Sequence, residues 1–234
     1  MKIAIMQPYF LPYIGYFQLI NSVDVFVIYD NVNFIKKGWI NRNYFLIENY
    51  PKLISIPLEG ASQHKLIDKI NVKKEKDYQK ILKSIESSYS KASNFGNYFP
   101  SFKNIFEKPS QCSISTFNFD LMKLAIQNLS VKTEFIFSSN LNIDHDLKGQ
   151  DKIIEICKKL NASTYINLPG GKGLYEQKIF RQKNINLKFL EPGFHEYSHV
   201  KTKKFYSNLS FFDVLMNMDN HHLKKLLNNY KLVK

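Results

Sequence analysis

The chain has 234 residues, 27.5 kDa, 44% of them hydrophobic, enough for one α/β domain or a compact domain carrying an inserted helical part. Mean hydropathy is −0.30 and the apolar runs are only a few residues long, far short of the ~20 needed to cross a bilayer, so a cytoplasmic chain without membrane insertion is expected. The formal charge of +13 invites a nucleic-acid reading, yet only Arg42 and Arg181 are arginines and Asn occurs 23 times, the signature of an AT-rich coding sequence. Specific DNA readers lean on the planar arginine fork, so DNA is not an expected partner.

The elements follow in chain order. Residues 2–6 (KIAIM) and 25–29 (VFVIY) read as short strands, and between them Ile14–Asn21 carries apolar residues at helical spacing. Strand, proline-containing loop, helix and strand make the outline of a βαβ unit. Extended runs follow at 43–48 and 52–57, then a polar loop at 60–64. From Glu75 to about Leu129 the period becomes helical: Tyr78, Ile81, Leu82, Ile85 and Tyr89 share one face. Pro100 and Pro109 are expected to break this segment, and Ser115 or Thr116 to cap the helix through Leu124. Strands are expected at 131–138, 164–168 and 186–190, helices at 151–160 and 175–182, a Gly-rich loop at 169–173, and a closing helical tail from 210–216 and 223–227. Alternating strands and helices predict an α/β fold, a mostly parallel sheet with flanking helices. Residues 1–72 and 131–234 then form the two parts of its core, with 73–130 as a helical insertion.

Ligands of open parallel sheets bind beyond the carboxyl ends of the strands, which singles out three loops. The first, Gln7–Tyr16, is stiffened by two prolines and Gly15 and crowded with aromatics such as Tyr9, suited to stacking on a base or sugar; the alternative is ordinary core packing. The second, Asp30–Asn43, holds adjacent Lys36 and Lys37, the single tryptophan Trp39, then Asn41, Arg42 and Asn43. An arginine in a lysine-rich chain suits bidentate binding of a carboxylate or diphosphate; the alternative is a surface salt bridge beside a buried Trp39. The third, Leu168–Tyr175, follows Asn167 and includes Gly170, Gly171 and Lys172; such a turn can form an amide nest for an anion, although it lacks P-loop spacing. Lys148, ahead of the 151–160 helix, is placed to aim donors at the same spot. The six histidines include His195 as a conceivable base, but no His or Cys spacing suggests a metal, and Cys112 and Cys157 suggest neither a disulfide framework nor a nucleophile. No metal or cofactor is expected.

The stretches MQPYFLPYIGYFQLINSVDVFVIYDNVNFIKKGWINRN, IPLEGASQHKLIDKI, LKGQDKIIEICKKLNASTYINLPGGKGLY, INLKFLEP and LSFFDVLM resemble the WbqC-like family over about residues 2–230. Departures are small: His64 and His145 stand at variable spots, and Asn31 follows Asp30 where an acidic residue is frequent. The opening is also similar to nucleotidyltransferase-like (HUP) domains, although PYIGY stands where their HxGH signature would be.

The family resemblance implies a setting in bacterial O-antigen or other surface-polysaccharide biosynthesis. It implies an N-acyl- or aminoacyltransferase acting on the amine of a nucleotide-linked amino sugar. The donor would be a thioester, an acyl phosphate or a charged transfer RNA. In that reading Asp30 is the proton acceptor with His195 in reserve. Arg42 and Lys172 hold phosphates, Trp39 and Tyr9 face the base or sugar, and Gln7, Asn41 and Asn43 face hydroxyls or the oxyanion. Gly15, Lys36, Lys37, Lys148, Asn167, Gly170, Gly171 and Tyr175 complete the binding surface. The rival is a non-catalytic nucleotide-sugar-binding or assembly protein of the same pathway.

Overall fold

The computed structural model describes residues 1–73, 78–107, 112–144, 146–199, 202 and 204–234; Glu75, Pro109 and His145 lie outside them. Its centre is a six-stranded sheet built from β1 (Lys2–Met6), β2 (Val25–Ile28), β5 (Glu134–Phe137), β6 (Thr164–Asn167), β7 (Asn186–Pro192) and β8 (Tyr230–Val233). The strand order is β5-β2-β1-β6-β7-β8, with all pairs parallel except β7–β8. Counted along the chain, the parallel strands run 3-2-1-4-5, a doubly wound order that agrees with a nucleotidyltransferase-like outline. Successive β1 side chains alternate between two packed layers. Ala4 joins the larger core with Phe26, Ile28 and Ile166, whereas Ile3 and Ile5 join the smaller one with Val27, Tyr165 and Phe189.

The smaller layer is covered by α5 (Gly149–Lys159) and α6 (Gln177–Gln182). The larger one takes α1 (Ile14–Asn21), α2 (Gln79–Tyr89), α3 (Phe95–Glu107), α4 (Ile114–Ile126), α7 (Phe211–Asn217) and α8 (Asn220–Leu227). Aromatic stacking runs through it, with Phe17 on Phe211 at 4.2 Å and Phe102 on Phe212 at 4.5 Å between ring centroids. The extended runs near 43–57 form a separate antiparallel hairpin, β3 (Arg42–Ile47) and β4 (Tyr50–Ser55). Its two-residue turn, Glu48-Asn49, has φ of 51° and 69°, the left-handed pair that matches strand twist.

Three local expectations are corrected. Pro100 lies inside α3 rather than ending it. A proline there removes one backbone bond and strains the preceding turn, but buried Tyr98, Phe99, Phe102 and Phe106 hold the helix against the core. The cap of α4 is Ser113, whose Oγ accepts from the Thr116 amide at 3.2 Å, because Ser115 is buried facing Asp30 at 3.4 Å. The chain does not close on helices, since β8 adds antiparallel to β7. The corner before β8 is fixed by Gln18, fully buried on α1, whose Nε2 donates to the carbonyls of Gly193, Leu226 and Asn229 at 2.7–2.9 Å. Gly193 is required there, because a Cβ would sit 2.4 Å from the Asn229 carbonyl oxygen.

Between β7 and α7 the chain is pinned by Asp213, which is 0% exposed. Its carboxylate accepts from the Tyr89 hydroxyl at 2.8 Å and the Tyr197 hydroxyl at 2.7 Å, and lies 3.0 Å from His199 Nδ1. His199 Nε2 accepts the Tyr206 amide at 3.3 Å. Burial first, then the Asp213 charge, pushes both tyrosine pKa values up. Asp213→Asn turns an acceptor into a donor facing donors and is expected to cost about 2–3 kcal/mol of unfolding free energy. Urea unfolding measures it; a change under about 0.5 kcal/mol would show that the pin carries no stability.

Candidate functional site

β1 departs to β2 on one side, while β6 arrives on the other by way of β5 and α5, so the crossovers diverge between β1 and β6. Pairing of these strands is recorded at Lys2–Thr164 and Ile3–Tyr165, and beyond those rungs a cleft of about 460 Å³ opens. Ile5, Met6 and Gln7 form one side, Asn167, Leu168, Gly170, Gly171 and Tyr175 the other, with Tyr9, Tyr13, Tyr29 and Trp39 among the remaining walls. No lining residue carries a charge. A second hollow of about 380 Å³ continues from it, sharing Tyr9, Tyr13 and Trp39 and adding Asn43, Tyr44 and Asn208.

The loops around the cleft are held by side-chain amides bonded to backbone carbonyls. Asn118, fully buried on α4, donates to Pro8 O at 2.8 Å and Ile40 O at 2.7 Å, joining the first two loops. The Phe10 amide donates to Trp39 O at 3.0 Å in the same seam. Leu11 has φ of 38°, a conformation that strains a branched residue. Its carbonyl is clamped by Asn43 Nδ2 at 2.7 Å and Ser210 Oγ at 2.8 Å. Gly15 is dictated by close approach, since a Cβ there would lie 2.5 Å from the Tyr13 ring and 2.7 Å from Pro192.

On the opposite wall the 169–174 segment is a 3-10 helix rather than an open loop. Asn167 Nδ2 donates to the hydroxyls of Tyr165 and Tyr175 at 3.0 and 3.3 Å, and Tyr165 donates to Tyr175 at 3.2 Å. With two donors already aimed at it, the Tyr175 oxygen keeps its own hydrogen for a ligand. Gly171 allows this arrangement, because a Cβ would stand 2.7 Å from Asn167 Nδ2. Burial raises the pKa of Tyr9, Tyr13 and Tyr175, and lifts that of Tyr29 to about 12. All four phenols stay protonated near neutrality, so the cleft presents aromatic faces, O–H donors and amides. The Gln7 side-chain amide has no protein partner among the described residues.

Several residues singled out by sequence stand elsewhere. Asp30 is buried and clips the ends of β2 and β5 together. It accepts from the Ser138 hydroxyl, the Ser139 amide and the Ser139 hydroxyl at 3.0, 2.9 and 2.8 Å, and it does not line the cleft. Arg42 donates to the carbonyls of Gly38 and Lys37, Asn41 to Ile56 O, and Asn43 to the Phe10 and Leu11 carbonyls. Lys172 turns outward to Glu191 at 3.5 Å. Lys148 is exposed at the N-terminal end of α5. His195 is exposed beside Asn229. Lys36 and Lys37 face a separate groove with Arg42. Trp39 is 45% exposed and open to a ligand, not buried.

Sequence reasoning missed Tyr29, Asn118, Ser210 and buried Lys152, whose Nζ donates to Asn31 O at 3.0 Å and sits 5.6 Å over the Tyr29 ring. Desolvation lowers the Lys152 pKa, with Asp30 pulling the other way. Only the aromatic richness near Tyr29 was a usable signal. Among the described residues no group of three or more His, Cys, Asp or Glu could hold a metal ion.

The family model of the WbqC-like proteins matches residues 7–225, which include Gln7 and the whole Asn167–Tyr175 wall of the cleft. The chain belongs to the WbqC-like protein family. It is also similar to an uncharacterized protein of Mycobacterium tuberculosis, 24% identical over 221 residues, covering 93% of this chain and 94% of the relative. No solved structure matches it. No helix among the described residues of this WbqC-like chain is long and apolar enough to cross a membrane.

Two expectations separate scaffold from ligand surface. Asp30→Asn should lower unfolding free energy by about 2 kcal/mol, through the donor it introduces among donors. Gly171→Ala should keep most stability and act instead on the cleft wall, by displacing Asn167 and Tyr175. Urea unfolding measures the first and the tyrosine side-chain NMR signals the second; the reverse pattern would exchange the two roles.

Proposed function

We propose that the cleft between β1 and β6 binds a nucleotide-linked amino sugar and that the protein transfers an acyl or aminoacyl group to the sugar amine, in surface-polysaccharide assembly. The uncharged, phenol-rich lining carries this reading. Tyrosine and tryptophan faces stack on sugar and base rings, while the Tyr29 and Tyr175 hydroxyls and the Gln7 amide suit hydroxyl and carbonyl partners. The lone pair of the sugar amine attacks the donor carbonyl. A C–N bond forms, the C–S bond of a thioester or the C–O bond of an aminoacyl ester breaks, and the leaving group takes up a proton. Gln7 and Tyr175 are the groups suited to the developing oxyanion, and positioning supplies the rest of the acceleration.

Among the described residues no carboxylate or imidazole lines the cleft, and in this reading the ammonium proton leaves to solvent before attack. The expected pH profile follows. A sugar amine near the ordinary α-amino range, about 8, is mostly ammonium below that value. The kcat/KM should therefore rise about tenfold per pH unit up to roughly pH 8 and then level, with no limb near pH 4–6. Tyr29, held near 12, adds no break in that range. A limb in the carboxylate range would assign the proton to an enzyme carboxylate instead.

The burial of Asp30 within its hydroxyl cage favours a second reading, a nucleotide-sugar-binding protein without turnover. Mass spectrometry separates the two. A dTDP- or UDP-linked amino sugar is incubated with the protein and acyl-CoA in one set, and with charged transfer RNA in another. A product heavier by one acyl or aminoacyl group supports the transferase. No product, with the nucleotide sugar still raising the melting temperature, supports the binding protein.

A further inference from the structure

A second concavity lies behind the turn whose Ile35 and Trp39 line the cleft. It is a groove of about 570 Å³, with Lys36, Lys37 and Arg42 on its walls and an apolar floor that includes Phe34, Ile56 and Leu58. No carboxylate lines it; Glu59, next to Leu58 in sequence, is exposed and not among its walls. Neither lysine forms an ion pair among the described residues, whereas Lys52, Lys69, Lys103, Lys123, Lys158 and Lys172 each face a carboxylate. Beside the groove, Lys65 Nζ stands 3.3 Å from the place a Cβ on Gly60 would take, a fourth cation next to the residue that precedes the lining Ala61.

The turn is built and held. Lys37 adopts φ of 59°, a left-handed conformation that non-glycine residues rarely take. The Gly38 amide closes on Ile35 O at 3.1 Å. Arg42 donates Nε to Gly38 O and Nη2 to Lys37 O, so its fork fixes the backbone that presents both ammonium groups. Asn41 and Ile56 exchange backbone and amide bonds, with Ile56 N donating to Asn41 O and Asn41 Nδ2 to Ile56 O, which ties the charged wall to the apolar floor. Clustered cations in a concave groove attract anions more strongly than lysines scattered singly on a flat face.

We propose that this groove is a second ligand site that takes the phosphate or diphosphate group of a small molecule. Two point charges side by side, plus a guanidinium, match the several negative oxygens of a diphosphate better than a single carboxylate. The apolar floor suits the carbon stem next to the phosphate. The proposal does not rest on the reading of the cleft and survives its failure. The phosphate arrives either on the cleft's own ligand, reaching over the 35–39 turn, or on a separate molecule.

Isothermal titration with inorganic pyrophosphate at 50 mM NaCl tests it, using the full chain. Lys36→Gln/Lys37→Gln, both exposed positions, should weaken binding at least about tenfold, and Lys224→Gln/Lys225→Gln, the same charge change on α8, less than about twofold. Gln7→Ala should leave pyrophosphate binding unchanged. No measurable binding by the wild type, or an equal loss in both lysine pairs, would overturn the site as a general charge effect. Competition assigns the source: pyrophosphate still binding under saturating UDP indicates a separate molecule, and mutual exclusion indicates the nucleotide's own diphosphate.

Discussion

The constraint on which the rest depends is the position of β1, paired on both sides and left by crossovers that run in opposite directions. In a parallel sheet every strand must be reached by a return connection over one face. Where the direction of winding reverses, two neighbouring strands send their chains apart and no loop covers the gap between their ends. Met6 and Asn167 flank that gap here. The residues that follow each are therefore the ones free to meet a ligand, and the helical layers on both faces keep the gap from collapsing. The place of the cleft comes from topology, and its chemistry from what the sequence puts at two loop starts.

Those loops must hold shape without being regular, and the chain meets this with amides. Asn43, Asn118 and Gln18 are all buried, and each donates to two or three backbone carbonyls in segments far away in sequence. A buried carbonyl left unpaired costs about 1–3 kcal/mol; an amide meets the backbone carbonyls without bringing a charge into the core, although the side-chain oxygens of Gln18 and Asn118 are themselves buried without a protein partner. Hydroxyls and an amide surround the buried carboxylates, as Ser138 and Ser139 do for Asp30 and Tyr89 and Tyr197 do for Asp213. An isolated carboxylate would have to take up a proton or come apart from the fold.

The periodic parts of this architecture were legible in the sequence. β1 and α1 begin and end where alternation and helical spacing place them, and the doubly wound sheet follows from the alternation of elements. Partnership was not legible. Asp30 reads the same whether it faces a substrate or a cage of serines, because the cage comes from residues more than 100 positions away. Arg42 stood out as a rare arginine, yet its fork closes on backbone only four and five residues back. Pro100 reads as a break because local propensity cannot weigh four buried aromatics. The short, polar run before β8 shows no strand pattern, as its partner β7 supplies the pairing. Gly15 and Gly171 were picked for loop character, and the structure gives each a steric reason.

The distribution of charge sharpens the contrast between the two concavities. In a chain with a formal charge of +13, no cation among the described residues lines the cleft at the switch point, although lysines occur on both sides of it in sequence, at 36, 37 and 172. Lys172 is turned away onto Glu191 and over the Phe189 ring at 5.8 Å, and the two others occupy the far side of their turn. A neutral, phenol-lined cavity leaves a sugar amine free of cationic repulsion, which would otherwise favour neither its binding as ammonium nor its approach to an electrophile. The same net charge, acting at long range, still draws anionic ligands toward the surface and raises their encounter rate. Attraction by the whole molecule and neutrality at the point of contact are thus compatible, the neutrality following from the face of the 35–39 turn that Lys36 and Lys37 take and from the outward turn of Lys172.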